Sequence, residues 1–382
     1  MDSTPQHWAE RIRAAASDHT PLRIRGGGSK DFYGQSLQGE LLDTRAHSGI
    51  ISYEPSELVV TVRAGTPLAE LEAALAEKGQ CLPFEPPHFN ATKSSAATVG
   101  GMVAAGLSGP ARASVGAVRD YVLGAVLLNG KGELLTFGGQ VMKNVAGYDV
   151  SRLLAGAMGT LGLITEVSLK VLPVVPAEAT LVFEVDQAKA LAQLNRWGAQ
   201  PLPLNASCWV HEHAAEGSCE LLCVRLRGAV AAVEAACRKM TQDVRGEILD
   251  KDVASAAWQT CREMQLPFFT QPPAVESAPD MALWRLSVAQ TAPVLDLPWP
   301  QLVEWHGGQR WAWAPASEAP RLRAAAFAAG GHASLFRAAQ EADKSVGVFA
   351  PLVSPLDRIH SELKKQFDPA GIFNPGRMFA SI

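Results

Sequence analysis

Three consecutive glycines lie directly after a short apolar stretch, in the segment Arg25–Lys30 (Arg-Gly-Gly-Gly-Ser-Lys). Glycine adopts positive φ without the steric cost of a Cβ atom, so successive N–H groups can point at one anion. Arg25 and Lys30 can add positive charge there. The pattern predicts a loop that holds a pyrophosphate and, at Gly27, a positive φ that excludes a β-branched residue. The alternative is a flexible hairpin loop.

Two further clusters of small residues follow along the chain. Residues 97–110 include Gly100 and Gly101 and carry almost no charge or bulk, which suits close approach of the backbone to a flat ligand. Tight packing around a helix start is the alternative interpretation. Residues 156–164 lead into an apolar run, so their backbone can lie beside a bound cofactor.

The standard nucleotide and hydrolase motifs are absent from the sequence. The third cluster has the spacing G-x-x-G-x-x-G, which differs from the dinucleotide-binding G-x-G-x-x-G. No G-x-x-x-x-G-K-[ST], H-E-x-x-H or G-x-S-x-G segment occurs. These absences argue against nicotinamide-binding Rossmann enzymes, P-loop NTPases, metalloproteases and hydrolases.

The elements that must position these clusters alternate between short strands and loops over residues 22–175. Turn residues bound four apolar runs that read as strands, namely Leu22–Arg25, Leu58–Val62, Tyr121–Leu128 and Leu163–Leu172. A helix is predicted to begin at Thr66 as N-cap and to end before Gly79. Residues 176–325 predict a second α+β domain with few chemical signals.

The tail contains a helix pattern with Leu356, Ile359, Leu363 and Phe367 on one face. A turn-rich segment follows at 371–377. We expect that segment to pack back on another domain.

Composition excludes several classes of protein. The 382 residues are 47% hydrophobic and carry a net charge of −4, which argues against disorder and against a broad nucleic-acid surface. The six cysteines form no C-x-x-C pair, so we expect reduced thiols and no metal site. The polar N-terminus and the lack of a long apolar run predict a cytoplasmic protein without a membrane span.

Several motifs in one order resemble the FAD-binding domain of the vanillyl-alcohol oxidase (PCMH-type) family. They are Arg25–Lys30, Thr98–Gly101, Lys143–Asp149 and Gly159–Val167. Four more segments resemble the smaller FAD-binding subunit of bacterial glycolate oxidase: Leu107–Pro110, Val118–Tyr121, Phe137–Gln140 and Phe367–Arg377. The resemblance is dense over residues 22–175 and 330–380.

The resemblance implies an α+β protein whose PCMH-type FAD-binding domain consists of two α/β subdomains. This domain would span 1–175, a reduced α+β cap domain 176–330, and a C-terminal segment that packs on the FAD domain 331–382. The first loop has no His or Cys, so we expect noncovalent FAD. The FAD-binding residues implied by the resemblance, with the two flanking cations, are Arg25, Gly26, Gly27, Gly28, Ser29, Lys30, Thr98, Val99, Gly100, Gly101, Ser108, Gly109, Gly159 and Ile164.

The resemblance also implies a complex with a larger FAD-binding subunit and an iron–sulfur subunit that receives electrons. The expected reaction is oxidation of glycolate, or of a D-2-hydroxy acid such as D-lactate, to the 2-oxo acid. The chain would reach the inner membrane only through its partner subunits. Three alternatives remain open: a noncatalytic flavin relay subunit, another flavin reductase on the same fold, and a non-flavin interaction protein.

Oxidation of a 2-hydroxy acid needs a proton acceptor and a cationic carboxylate clamp. His332 is the candidate base, and Arg337 or Arg377 the candidate clamp. Tyr148 is a candidate donor to substrate or flavin. Alternatively, His332 forms a hydrogen bond in a domain seam, and Arg377 pairs with a carboxylate such as Asp368 or with a partner subunit.

Overall fold

The chain divides into two units, neither of which is one continuous stretch. The computed structural model describes residues 5–89, 96–139, 149–214, 217–272 and 280–380. The first unit comprises Met1–Leu107, Ala117–Val174 and Pro351–Ile382, and the second comprises Ser108–Gly116 and Val175–Ala350.

The structure differs from the sequence prediction at two of these boundaries. The second unit extends to Ala350 rather than to 330, because strand His332–Arg337 pairs with Met281–Ser287 in the sheet of that unit. Residues 108–116 also belong to the second unit, although they lie inside the predicted FAD-binding domain.

Within the described residues, the first unit has six α-helices, the last of them in its C-terminal part, and three groups of paired strands. Its helices are α1 (Pro5–Asp18), α2 (Leu68–Ala76), α3 (Val99–Ala105), α5 (Val118–Tyr121), α6 (Val150–Leu153) and α12 (Leu356–Phe367). Helix α4 (Arg112–Val115) belongs to the second unit. Its strands are β1 (Leu22–Arg25), β2 (Glu40–Asp43), β3 (Ile50–Glu54), β4 (Val59–Arg63), β5 (Gln80–Cys81), β6 (Val122–Leu128), β7 (Leu134–Gly138), β8 (Leu163–Lys170) and β9 (Leu172–Pro173).

The predicted strands of the first unit are confirmed, within one or two residues at their ends. β3, β4, β8, β6 and β7 form an antiparallel sheet in that order, and β1 pairs in parallel with β2. The predicted N-cap of α2 is wrong by one residue, because Pro67 and not Thr66 is the N-cap. The Thr66 hydroxyl instead donates to the carbonyl of Arg63 at 2.7 Å.

The C-terminal segment returns to the first unit beside β1. The Leu22 amide donates to the carbonyl of Ile372 at 2.7 Å, and the Asn374 amide donates to that of Leu22 at 2.9 Å. Ile372 and Phe373 thereby join a core cluster that includes Trp8, Leu22 and residues of α1, β2, β6 and β8.

The predicted apolar face of α12 is not what anchors this helix. Leu356 and Ile359 are each 48% exposed, whereas Lys364 is buried. Its ammonium donates to the carbonyls of Thr160 and Phe373, both at 2.8 Å, and to the carboxylate of Asp368 at 2.7 Å. Burial lowers the pKa of Lys364, and the adjacent carboxylate partly opposes that shift.

The second unit is built on one antiparallel sheet. Its strands are β10 (Ala177–Glu184), β11 (Leu204–Ala214), β12 (Gly217–Gly228), β13 (Glu247–Ile248), β14 (Met281–Ser287), β15 (Gln301–Glu304), β16 (Gln309–Pro315) and β17 (His332–Arg337). Their order is β13-β10-β12-β11-β15-β16-β14-β17. Its helices are α4 (Arg112–Val115), α7 (Gln187–Gly198), α8 (Val230–Asp243), α9 (Lys251–Arg262), α10 (Pro267–Thr270) and α11 (Ala319–Ala328).

Helices α7 and α8 cover part of this sheet with a cluster that includes Trp197, Trp209 and Met240, and α11 covers β14, β16 and β17. Among the helices of the described ranges, none is both long and apolar enough to cross a membrane.

Candidate functional site

Two small adjoining cavities in the first unit bring most of the predicted FAD-binding residues together. They measure about 100 and 60 Å³. The first is lined by all of Arg25–Lys30 together with Thr98 and Gly101, and the second by Gly100, Gly101, Gly159 and Ile164. Glycines that lie up to 136 positions apart in the sequence, from Gly26 to Gly162, therefore line one place.

The first glycine loop owes its shape to close backbone contacts. A Cβ atom on Gly27 would lie 1.6 Å from the carbonyl oxygen of Ala96, and one on Gly26 would lie 2.2 Å from Oγ1 of Thr98. The positive φ, +77°, falls on Gly28 rather than on Gly27. The prediction that only glycine fits at Gly27 therefore has a different physical reason, which is steric contact with the neighbouring segment.

The two cations of this loop differ in their surroundings. Nε of Arg25 forms an ion pair with the carboxylate of Asp31 at 2.7 Å. Nζ of Lys30 contacts Oγ of Ser29 at 3.3 Å and the carbonyl of His88 at 3.4 Å. A carboxylate thus offsets the charge of Arg25, while the ammonium of Lys30 is held by neutral oxygens beside the cavity.

Helix α3 supplies the second wall of the cavities. The Thr98 hydroxyl caps the helix by accepting from the amide of Gly101 at 3.3 Å. A Cβ on Gly100 would lie 2.6 Å from that of Ala64, so glycine permits this helix to approach β4 closely. Val99 is fully buried and does not line either cavity.

Asn374 connects two glycine clusters, a role that was not predicted from the sequence. Its Nδ2 donates to the carbonyl of Met158 at 2.7 Å, and its Oδ1 accepts from the amide of Ile24 at 2.8 Å. It lines both cavities. The signal was available in the segment Phe373–Arg377, because asparagine tolerates the left-handed conformation that it adopts here, with φ +39°.

Arg377 lines the first cavity, but its guanidinium donates hydrogen bonds to backbone carbonyls. It is 5% exposed and donates to the carbonyl oxygens of Asp31, at 2.9 Å, and of Tyr33 and Gln35. These bonds shape the loop that follows the glycine run. The structure therefore gives Arg377 a role in holding this loop, whereas the sequence predicted a substrate clamp.

His332 and Arg337 lie on β17, at the edge of the sheet in the second unit. They pair with Ser287 and Leu283 respectively, with a bulge between, so both face the same side of the sheet. Four residues of strand separate the two partners by about 13 Å. The two side chains therefore start from well-separated backbone positions along the strand, and their joint role in binding a 2-hydroxy acid stays a prediction.

Three further predicted residues are Tyr148, Ser108 and Gly109. Tyr148 is outside the described residues. Ser108 and Gly109 belong to the second unit and line neither cavity of the first, so their contact with FAD stays a prediction. Within the described ranges, no group of three or more His, Cys, Asp or Glu side chains is arranged to hold a metal ion.

The residues present suit a dinucleotide. The cavities are walled by backbone at positions where a Cβ atom would collide, and a lysine lies at the rim. Such a surface offers backbone N–H groups, which phosphate oxygens require. It also allows the backbone to approach a flat ring closely.

Comparisons with known proteins agree with this geometry. A family model described as an FAD binding domain matches residues 3–138. The chain is 45% identical over 98% of its length to the glycolate oxidase subunit GlcE of Escherichia coli, of which it covers 97%. It is 32% identical over 48% of its length to glycolate oxidase subunit GlcD of Bacillus subtilis, covering 38% of that protein.

Solved structures confirm the fold. A 4-ethylphenol oxidase from Gulosibacter chungangensis aligns with 99% of this chain and 88% of its own, with a TM-score of 0.68 and 13% identity. An alkyldihydroxyacetonephosphate synthase aligns with 96% of this chain and 73% of its own, with a TM-score of 0.63 and 16% identity. The predicted fold class and FAD cofactor are confirmed, and the chain belongs to the GlcE family of glycolate oxidase subunits, which are FAD-dependent oxidoreductase subunits with a PCMH-type fold.

Proposed function

We propose that this chain is the FAD-binding subunit of a complex that oxidises glycolate, or a D-2-hydroxy acid such as D-lactate, to the 2-oxo acid. Electrons then pass to an iron–sulfur subunit. The observation that carries this proposal is the 45% identity to a glycolate oxidase subunit over nearly the whole chain. Matches to proteins named D-lactate dehydrogenase, at 31% and 32% identity over part of the chain, support the wider substrate class.

The chain's own residues account for how the cofactor is held. The amides of Gly26–Ser29 and the ammonium of Lys30, which line the first cavity, would bind the pyrophosphate. Gly100, Gly101, Gly159 and Ile164 provide a wall of small and apolar groups for the rest of the molecule. These residues would hold FAD noncovalently, and the bound cofactor would supply the two-electron oxidising power that the conversion of a 2-hydroxy acid to the 2-oxo acid requires.

The proposed partners are a larger FAD-binding subunit and the iron–sulfur subunit. The partial match to a GlcD subunit supports a relationship between the two flavin subunits of such a complex. We propose a cytoplasmic location for this chain, with any contact with the inner membrane made by the partner subunits.

The experiment is the visible absorption spectrum of the purified chain, recorded anaerobically before and after glycolate is added. We expect one noncovalent FAD per chain and loss of flavin absorbance with glycolate. D-lactate serves as the second substrate and acetate, which has no hydroxyl group, as the control. A colourless chain, prepared alone and with its partners, would contradict the proposal.

The same measurement separates catalysis from electron relay. A yellow chain that glycolate bleaches only when the larger subunit is present would assign the oxidation to that partner. Flavin in this chain would then receive electrons rather than remove them from substrate. Rapid bleaching by NADPH would instead favour a nicotinamide-linked reductase.

A further inference from the structure

A contact between α4 and the 3₁₀ turn Trp305–Gly307 stands out within the second unit. Oγ of Ser114 lies 3.0 Å from Nε2 of His306. The indole N–H of Trp305 donates to the carbonyl of Gly109 at 3.0 Å. The guanidinium carbon of Arg112 lies 4.5 Å from the centre of the Trp305 ring, which is cation–π distance. These contacts fix an arginine, a serine and a histidine near one another.

The backbone of this turn is strained. Trp305 and His306 both have φ of +54°, which is rare for bulky side chains. The His306 amide donates to Oγ of Ser207 at 2.9 Å, and Nε of Arg310 donates to the carbonyl of Gly307 at 2.8 Å. Strain of this kind persists only where the surroundings impose it, and it concentrates at ligand sites.

The imidazole of His306 has unused hydrogen-bonding capacity. Its Nδ1 is buried and has no hydrogen-bond partner among the described residues, while Nε2 faces the exposed hydroxyl of Ser114. Burial lowers the pKa of His306 to about 4, so the ring is neutral at pH 7 and can accept a hydrogen bond. Charged groups on the elements packed against this turn include Arg112, Arg310 and the buried Glu304.

We propose that Arg112, Ser114 and His306 bind the carboxylate and the hydroxyl group of a small 2-hydroxy acid. The Arg112 guanidinium, held against the Trp305 ring, would pair with the carboxylate. The Ser114 hydroxyl, which is hydrogen-bonded to Nε2 of His306, would be oriented by that contact towards the hydroxyl group of the acid. The inference rests on the proposed function for its ligand class, and it replaces His332 and Arg337 as the candidate residues.

The test measures binding without turnover. Oxalate, which has two adjacent oxygen-bearing carbons and no α-hydrogen, is titrated into the FAD-loaded full chain by isothermal calorimetry. We expect Arg112→Gln to raise the Kd for oxalate at least tenfold, and Ser114→Ala to raise it about fivefold, in line with loss of a charge-assisted and a neutral hydrogen bond respectively. The ratio of FAD to protein should not change in either variant.

His306→Asn tests the imidazole while keeping a residue that tolerates positive φ. We expect it to weaken oxalate binding about tenfold and to remove one histidine signal that shifts with oxalate in the NMR spectrum. His19→Asn is the matched control, because His19 is exposed and has a φ of +52°. Arg196→Gln, on the exposed face of α7, is the control for arginine.

The outcomes separate this inference from the proposed function. Bleaching by glycolate with unchanged oxalate binding in Arg112→Gln and His306→Asn would overturn the inference and leave the function standing. Oxalate binding that depends on Arg112, without loss of flavin absorbance on addition of glycolate in any preparation, would support the binding site and contradict the proposed oxidation. Failure of the wild-type chain to bind oxalate or glycolate would overturn the inference.

Discussion

Replacing Asn374 is the sharpest test of how the two glycine-lined cavities, the proposed FAD site, are held together. Its amide joins the carbonyl of Met158 and the amide of Ile24, at 2.7 and 2.8 Å. Asn374→Gly removes both bonds yet tolerates the φ of +39°. Each buried group left unpaired costs about 1–3 kcal/mol, so we expect the free energy of unfolding to fall by about 2–6 kcal/mol.

Asn374→Ala should cost about 1 kcal/mol more than the glycine variant, because alanine is unfavourable at positive φ. Urea unfolding of the full chain, with and without FAD, measures both values. The Kd for FAD should rise about tenfold, since Met158 and Ile24 both line the cavity. The control is Asn195→Ala on α7. A glycine variant that unfolds within about 0.5 kcal/mol of wild type and keeps its FAD affinity would refute this reasoning.

Three further predictions concern other residues. Gly27→Val should lose FAD, because its Cβ would lie 1.6 Å from the Ala96 carbonyl oxygen; flavin absorbance per chain tests this, with Gly198→Val, whose Cβ meets no atom within 4 Å, as control. Arg377→Lys should raise the Kd for FAD about tenfold in a fluorescence titration, because an ammonium cannot span the carbonyls of a whole loop; an unchanged value would return Arg377 to the predicted substrate clamp. His306 has a pKa lowered from 6.5 to about 4, so the unfolded state binds the proton first and stability falls as the pH drops from about 6.5 towards 4, by about 3 kcal/mol. His306→Asn should flatten that slope in urea unfolding curves, and an unaltered slope would assign it to other groups.

Local signals in the sequence were enough to predict strand β1 and the glycine clusters that line the proposed FAD cavities. Leu22–Arg25 is β1 as predicted, and the loop Arg25–Lys30 that follows it lines the first cavity. Glycine clusters are informative because backbone geometry and close packing are decided within a few residues.

Side-chain contacts between residues far apart in the chain could not be predicted from the sequence. Asn374 acts on Ile24, 350 positions away, and nothing in either segment specifies that partner. The stripe of Leu356 and Ile359 has helical spacing, but burial depends on what lies opposite, and a lysine anchors the helix instead. The strain at His306 is likewise a tertiary effect, which residue types alone do not reveal.

The assignment of Ser108–Gly116 to the second unit limits how this protein can be dissected or recombined. The polypeptide passes between the units four times, at 107, 116, 174 and 350. A genetic exchange that moved only 175–350 into a relative would leave behind the nine residues that carry Gly109, Arg112 and Ser114. Trp305 and His306 would then face a foreign segment, so these two stretches are expected to be inherited together.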